Sequence, residues 1–261
     1  MKNKSLIIII AHQDDEFCIF NRIYKFKNKK KIYVFYLTSG LTKILPKKKK
    51  NFRNIESTKV LIKLGVKENN IHFLGDNLSI KSNKLLNNLK QVYRELILNL
   101  QKIKGKKILY THALEGGHLD HDCCYYLTRQ ARKNINEIQT IYQFPNYHSK
   151  NLPYILYRVL NPIKENGKVF RKKYDFNSRF KFIYFLFFYK SQLFTSMAWV
   201  GLYPFLIAHF LFSKSDRVQK INPKEIKIRR PHKGLLLYEK RGHLKYHIFA
   251  SKISKFINSV N

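Results

Sequence analysis

The most constraining feature of the chain lies near its start. Ser5-Leu6-Ile7-Ile8-Ile9-Ile10-Ala11 is an unbroken apolar run, and His12-Gln13-Asp14-Asp15-Glu16 follows with no spacer. A strand apolar at successive positions has no polar face to give to water. It must be covered on both sides, the condition of a strand inside a parallel sheet. With Met1-Lys2-Asn3-Lys4 before it, the run also mimics the basic and apolar parts of a secretory leader. It is short for one, and an acidic cluster stands where the small-residue cleavage site belongs. The reading is therefore a buried first strand without a leader and a cytoplasmic location, extended to a peripheral position at the inner face of a membrane.

Further elements alternate along the first 145 residues. A helical stretch runs to about Lys29, a strand over Lys31–Thr38, and a loop holds the run Lys47–Lys50. A helix covers Phe52–Leu64 and stops at Gly65, a residue suited to helix ends. Ile71–Leu74 reads as a strand, and Ser82–Ile103 as one long amphipathic helix. Lys107–Thr111 is a strand, Leu119–Asn134 a helix and Ile138–Phe144 a strand. Strand and helix in alternation imply βαβ units. The expected class is α/β: a Rossmann-like, doubly wound, mostly parallel sheet with helices on both faces. Residues 1–145 form its metal-binding core, and residues 146–261 an irregular, aromatic-rich C-terminal extension of the same domain.

That extension has less pattern. Lys164–Lys173 reads as a basic loop or hairpin, Glu225–Arg230 as an edge strand, and Leu244–Ile257 as an amphipathic helix. Pro231–Arg241 has a strand-like Leu-Leu-Leu-Tyr at its centre. Phe182–Phe212 holds 12 aromatics in 31 residues with Lys190 as its single charge. Three readings stand for it: a core helix pair, a membrane-interface surface, or a spanning helix over Ser191–Phe212.

Charge narrows the partners. The chain of 261 residues has 51 Lys+Arg against 16 Asp+Glu, a formal net charge of +35. Such a balance favours an anionic partner: nucleic acid, anionic lipid or anionic glycan. Three cysteines, with Cys123 and Cys124 adjacent, exclude a disulfide scaffold, and there is no CxxC pair for a cysteine zinc site. No G-x-G-x-x-G and no P-loop follows the first strand, which argues against a dinucleotide or nucleotide enzyme.

The few acids are unevenly placed. Asp14, Asp15 and Glu16 form one window and Glu115, Asp120 and Asp122 another, and both windows hold histidines. The first follows the first strand and Gly117-His118-Leu119-Asp120-His121 follows the fourth. Both therefore lie at carboxyl ends of strands, where open parallel sheets bind ligands. His12, Asp15 and His121 supply two imidazoles and a carboxylate. That set leaves a fourth position for water, as in catalytic zinc sites; Fe2+ or another divalent ion accepts the same donors. Asp14, beside a ligand, suits the general base. His118 suits a hydrogen bond to an oxyanion and then protonation of a leaving amine. Asp120 suits the orientation of an imidazole. Taken singly, these acids are ordinary: helix first turns favour Asp and Glu, and Asp caps helices. Their pairing at two strand ends of one sheet is not.

At this point the sequence resembles the PIG-L/LmbE-like N-acetylglucosaminyl deacetylases. His12-Gln13-Asp14-Asp15-Glu16 is similar to that family's AHPDDE motif and His118-Leu119-Asp120-His121 to its HPDH motif. Leu37-Thr38-Ser39-Gly40, Arg53-Asn54-Ile55-Glu56 with Leu64-Gly65, and Tyr189-Lys190-Ser191-Gln192 resemble further pieces in order. The likeness is strong over residues 5–145 and thinner beyond. It implies a zinc-dependent hydrolase that removes the acetyl group of a GlcNAc-like sugar, with a lipid- or glycan-linked precursor as one form of that substrate. It implies His12, Asp15 and His121 as metal ligands, Asp14 as base, His118 on the oxyanion with Asp120 beside it, and Arg53 against the substrate. Gln13 and Leu119 replace prolines of the two motifs. Gly116 stands where some members have a tyrosine.

The alternative reading is a basic protein that binds nucleic acid or anionic membrane on a catalytically inert α/β scaffold. It uses the charge and Lys/aromatic interleaving such as Tyr24-Lys25-Phe26-Lys27. It leaves both His/Asp windows unexplained and finds no RNP, KH or helix-turn-helix signature. The expected partners are therefore an acetamido sugar and an anionic membrane surface rather than nucleic acid. The sequence does not set the oligomeric state.

Overall fold

β1 (Lys4–Ile10), β2 (Ile32–Tyr36), β3 (Ile71–His72), β4 (Lys106–His112) and β5 (Ile138–Phe144) pair in parallel in the order β3-β2-β1-β4-β5. The structure is a computed structural model that describes residues 4–27, 31–42, 51–193, 202–222 and 228–260. β6 (Tyr147–His148) and β7 (Arg158–Val159) make a separate two-stranded ladder. β8 (Val169–Lys173) and β9 (Ser215–Lys220) continue the main sheet beyond β5, and both of their pairings are antiparallel.

The helices are α1 (Phe20–Phe26), α2 (Phe52–Lys63), α3 (Leu74–Asn77), α4 (Leu89–Lys102), α5 (Leu119–Asn134), α6 (Phe176–Leu186), α7 (Lys190–Leu193), α8 (Tyr203–Phe212), α9 (Leu237–Lys240) and α10 (Tyr246–Asn258). They cover both faces. Ile7 and Ile9 of β1 pack with α4, α5 and α10, whereas Leu6, Ile8 and Ile10 pack with α1, α2, α6 and α8. All five side chains are fully buried. This is why the strand is apolar at every position, and each such side chain contributes about 1.5–3 kcal/mol. The chain leaves β1 for β2 on one side and later returns to β4 on the other. The carboxyl ends of β1 and β4 thus flank a topological switch point, where a crevice opens.

Several expectations change. The helix expected over Ser82–Ile103 begins only at Leu89, because residues 82–85 are drawn aside by hydrogen bonds to the acidic and histidine cluster described below. Pro231–Arg241 is no strand: Leu236 is the N-cap of the short helix α9 and Leu237 its first residue, both buried, while Leu235 before them is exposed. The C-terminal edge is β8 and β9. β9, Ser-Asp-Arg-Val-Gln-Lys, has too little apolar alternation to read as a strand. Of the expected strand Glu225–Arg230, residues 225–227 lie outside the described residues, and 228–230 form no element. Cys123 and Cys124 are both buried, because α5 is covered on both sides. Lys47–Lys50 lies outside the described residues.

Phe182–Phe212 is not one element. α6, α7 and α8 lie within or across it, with residues 194–201 outside the described residues. Phe182 and Phe210 stack in the core while other rings face outward. Among the described residues no helix is long and apolar enough to cross a membrane.

Candidate active site

The site is built where β1 and β4 end. His12 leaves β1 directly. Asp14 follows with φ 112°, a left-handed backbone that costs a non-glycine residue of order 1–3 kcal/mol. The turn holds because Asp15 Oδ2 accepts from His12 N at 2.6 Å and Glu16 Oε2 accepts from Asp14 N at 2.9 Å. Glu16 is itself fixed by the Tyr189 hydroxyl. From the other side, His118 caps α5, its Nδ1 accepting from Asp120 N at 3.1 Å, and His121 sits on the first turn.

Three donor groups converge. His121 Nε2 lies 3.3 Å from His12 Nδ1 and 3.2 Å from Asp15 Oδ1, and His12 Nδ1 lies 3.4 Å from Asp15 Oδ2. Two overlapping sets of three have donor atoms within 4.8 Å of one another: His12 with His118 and His121, and Asp15 with His112 and His121. In both sets a second hydrogen bond matters. His118 spends Nδ1 on the α5 cap, and His112 Nε2 accepts from Ala11 N at 3.1 Å.

Asp120 stands behind the cluster rather than in the crevice. Fully buried, its Oδ2 lies 3.0 Å from His12 Nε2 and accepts from Asn83 N at 2.6 Å, while Oδ1 accepts from Leu85 N at 3.2 Å. Ser82 Oγ is 3.2 Å from His12 Nε2 as well.

The electrostatics favour added positive charge. Burial opposes a charged His12, yet hydrogen bonds and charges from Asp120 and Asp15 overcome it and raise its pKa to about 10. Burial likewise opposes the Asp15 charge, but His121 and His112 hold it well below the usual carboxylate range. Burial pushes Asp14 up to about 7 against the pull of Arg53. Enclosure and the neighbouring His12 keep His118 low, and burial and His121 bring His112 down to about 4. A buried cluster that retains a proton between carboxylates is one where a divalent cation can replace it.

The crevice holds about 300 Å³ and is lined by His12, Asp14, Asp15, Arg53, His118 and His121, among others. All the sequence-selected site residues except Asp120 therefore reach it. Arg53 Nη2 lies 3.1 Å from Asp14 Oδ1, and Nη1 donates to Gly40 O at 2.6 Å. Gly40 has φ 68°, and a Cβ there would fall 2.0 Å from Gln13 Oε1. Gln13, which replaces a proline, uses its amide on Asn54. Two weak sequence pieces meet here: Glu56 Oε1 accepts from Ser191 N at 2.9 Å, and Gln192 lines the crevice.

Other residues escaped the sequence reading. Asn146, after β5, donates to Asp15 Oδ1 at 3.3 Å and lies 3.2 Å from His121 Nδ1. Its only signal is a polar residue at a strand's carboxyl end. Tyr147, Tyr157 and Arg241 line the mouth from ladder and loop segments with no periodic pattern. Gly116 has φ 69°, and a Cβ there would come within 2.7 Å of Leu236, so a large side chain has no room.

Residues 7–132 match the family model PIG-L, described as GlcNAc-PI de-N-acetylase. Over that stretch, just under half of the chain, the sequence is similar to the PIG-L family. Solved structures agree in fold. A deacetylase triple mutant of the teicoplanin biosynthetic pathway has TM-score 0.63 at 13% identity, covering 85% of this chain and 100% of its own. The zinc-inhibited form of teicoplanin deacetylase has TM-score 0.61 at 13% identity, with the same coverages of 85% and 100%. N,N'-diacetylchitobiose deacetylase from Pyrococcus horikoshii has TM-score 0.58 at 16% identity, covering 84% of each chain. No curated protein matches the sequence.

Proposed function

We propose that this chain hydrolyses the acetamide of a GlcNAc-like sugar, releasing acetate and the free amine, with a divalent metal, zinc, at His12, Asp15 and His121. The observation that carries this reading is the mutual approach of those three donor groups, 3.2–3.4 Å, on the wall of a crevice at the switch point. The donor set fits: two imidazole nitrogens and a carboxylate oxygen are the ligands of open catalytic zinc sites. His118 and His112 are left outside it by the hydrogen bonds they already make.

A bound divalent cation supplies Lewis-acid polarisation of water and of the amide carbonyl. The chain supplies the rest. Asp14 takes a proton from the attacking water, with Arg53 holding its carboxylate in place. His118, with Nδ1 accepting from the backbone, carries its hydrogen on Nε2 and donates it to the oxyanion. A neutral imidazole in that tautomer has no second proton to give. The departing nitrogen therefore recovers the proton from Asp14, rather than from His118 as the sequence suggested. Asp120 fixes the His12 ring, and Arg53 edges the substrate's polar groups. A volume of 300 Å³ suits one sugar ring, being near the lower end for ligand sites. The test is acetate release from N-acetylglucosamine and N,N'-diacetylchitobiose. Asp14→Asn should cut kcat by about 10²–10⁴-fold. Acetate release unchanged in that variant would sink the assignment.

A specific surface supports a lipid-linked form of that substrate and a peripheral position on an anionic membrane. Tyr154 (84%), Phe176 (81%) and Phe212 (84%) are largely exposed, as are Phe180 and Phe205. Phe205 contacts Tyr157, which lines the crevice, so one of these exposed rings adjoins the site. Exposed aromatics on a chain of +35 suit the boundary of an anionic bilayer. Cosedimentation with phosphatidylglycerol vesicles, lost with phosphatidylcholine, is the expected result. Equal indifference to both would end this reading. We also take residues 146–261 as an extension of the core's own domain, since β9 pairs with β5 and Asp216 with Arg22.

A further inference from the structure

The mouth of the crevice holds two arginines in different states. Arg53 is engaged, with Asp14 and two backbone carbonyls as partners. Arg241 is half-buried, and among the described residues no carboxylate lies within ion-pair distance of it and no acceptor takes its guanidinium hydrogens. Instead the guanidinium faces aromatic rings: its carbon lies 5.9 Å from the Tyr147 centroid and 5.7 Å from the Tyr157 centroid. Contacts of this kind orient a guanidinium plane but leave its N–H edges unfilled.

The placement is built. α9 ends just before Arg241, and Leu237 N donates to Gly116 O at 2.9 Å, tying the helix to the loop that carries His118. Glu239 braces the turn, accepting from Leu236 N and Tyr246 N at 2.8 Å each. Lys240 Nζ donates to Leu152 O at 2.6 Å. The Tyr147 ring beneath Arg241 is 5.6 Å from the His121 ring. One aromatic ring thus separates the guanidinium from the floor of the site.

We infer that Arg241, set against Tyr147 and Tyr157, is an oxyanion subsite, and that the acetamido sugar this pocket takes carries a phosphoryl or carboxyl group. Among the described residues this guanidinium meets no acceptor, and oxyanions fill its parallel N–H edges in bidentate fashion. Arg241 lines the same crevice as His12, Asp15 and His121, so a charged group held against it leaves the acetamide free to reach those donor groups. The inference rests on the sugar-deacetylase reading and names a feature of its substrate.

Calorimetric binding to the full chain tests it without relying on turnover. The probes are N-acetylglucosamine, N-acetylglucosamine 1-phosphate and N-acetylmuramic acid. For the wild type, Kd for one of the charged sugars should lie about tenfold or more below that for the neutral one. The preferred charged probe tells phosphoryl from carboxyl. Arg241→Gln should bring the ratio to about one, and Arg241→Lys should restore part of it, with unchanged melting temperatures excluding misfolding. Equal Kd values for charged and neutral sugars in the wild type, or a preference that survives in Arg241→Gln, would overturn the subsite alone. Binding of none of the three sugars would overturn the sugar-site reading together with it.

Discussion

Asp120 Oδ2 lies 3.0 Å from His12 Nε2, so the second motif fixes the ring that the first motif presents. His12 can then face the crevice only through Nδ1, the nitrogen nearest Asp15 and His121. Asp120→Ala should release the ring and lower metal affinity about 10–100-fold, as loss of such outer partners does. Asp120→Asn leaves one oxygen, which can accept from His12 Nε2 and Asn83 N but then gives up the bond from Leu85 N, so its loss should be smaller than that of Asp120→Ala. Competition against a chromophoric chelator reads both, and unchanged affinity in Asp120→Ala would remove Asp120 from the positioning role.

Arg22 on α1 and Asp216 on β9 pair at 2.8 Å, both buried. Arg22→Met leaves a buried carboxylate without its cation and should cost about 3–5 kcal/mol. Adding Asp216→Leu should recover most of it. Urea unfolding monitored by circular dichroism gives the values. A single transition throughout is expected if residues 146–261 share the core's domain, and separate transitions would divide them.

Glu115 is buried with one carboxylate oxygen unpartnered, and burial raises its pKa well above the ordinary value. The sign follows from linkage: the folded state prefers the protonated acid, so this contribution is complete below the ordinary pKa near 4.5 and is lost as pH rises towards the raised value. Glu115→Gln removes the titration and keeps an acceptor for Asn146 N. Its melting temperature relative to wild type should climb between pH 5 and pH 9. A constant difference across that range would mean that Glu115 stays charged in the fold.

Metal removal should show as stability. A ligand at one hundred times its Kd adds about 2.7 kcal/mol to the folded state. A chelator should therefore lower the melting temperature of wild type and leave Asp15→Ala unmoved. Identical chelator responses in the two proteins would speak against Asp15 as a ligand.

How much of this was legible depends on where each residue's partners lie. β1, α2 and α5 were readable because local pattern and burial agree: a fully apolar strand, a glycine after Leu64, and a polar-to-helical switch after His118. The clusters at the ends of β1 and β4 were readable because acids are scarce elsewhere. Residues 82–88 were misread, since their apolar spacing is helical but their backbone amides go to Asp120, a partner far along the chain. β9 is a strand through pairing with β5 and β8, not through its own propensity. Leu236 and Leu237 looked like a strand because burial under the 116 loop leaves no periodic trace. Asn146 has only its place at a strand's carboxyl end, and Arg241 carries no local signal at all.

The most direct measurement is the metal content of the purified protein, with wild type, Asp15→Ala and Asp14→Ala side by side. About one zinc or other divalent ion per wild-type chain is predicted, lost in Asp15→Ala and retained in Asp14→Ala. A wild type that holds no metal after reconstitution, or an Asp15→Ala protein that holds it as well as wild type, would contradict the account.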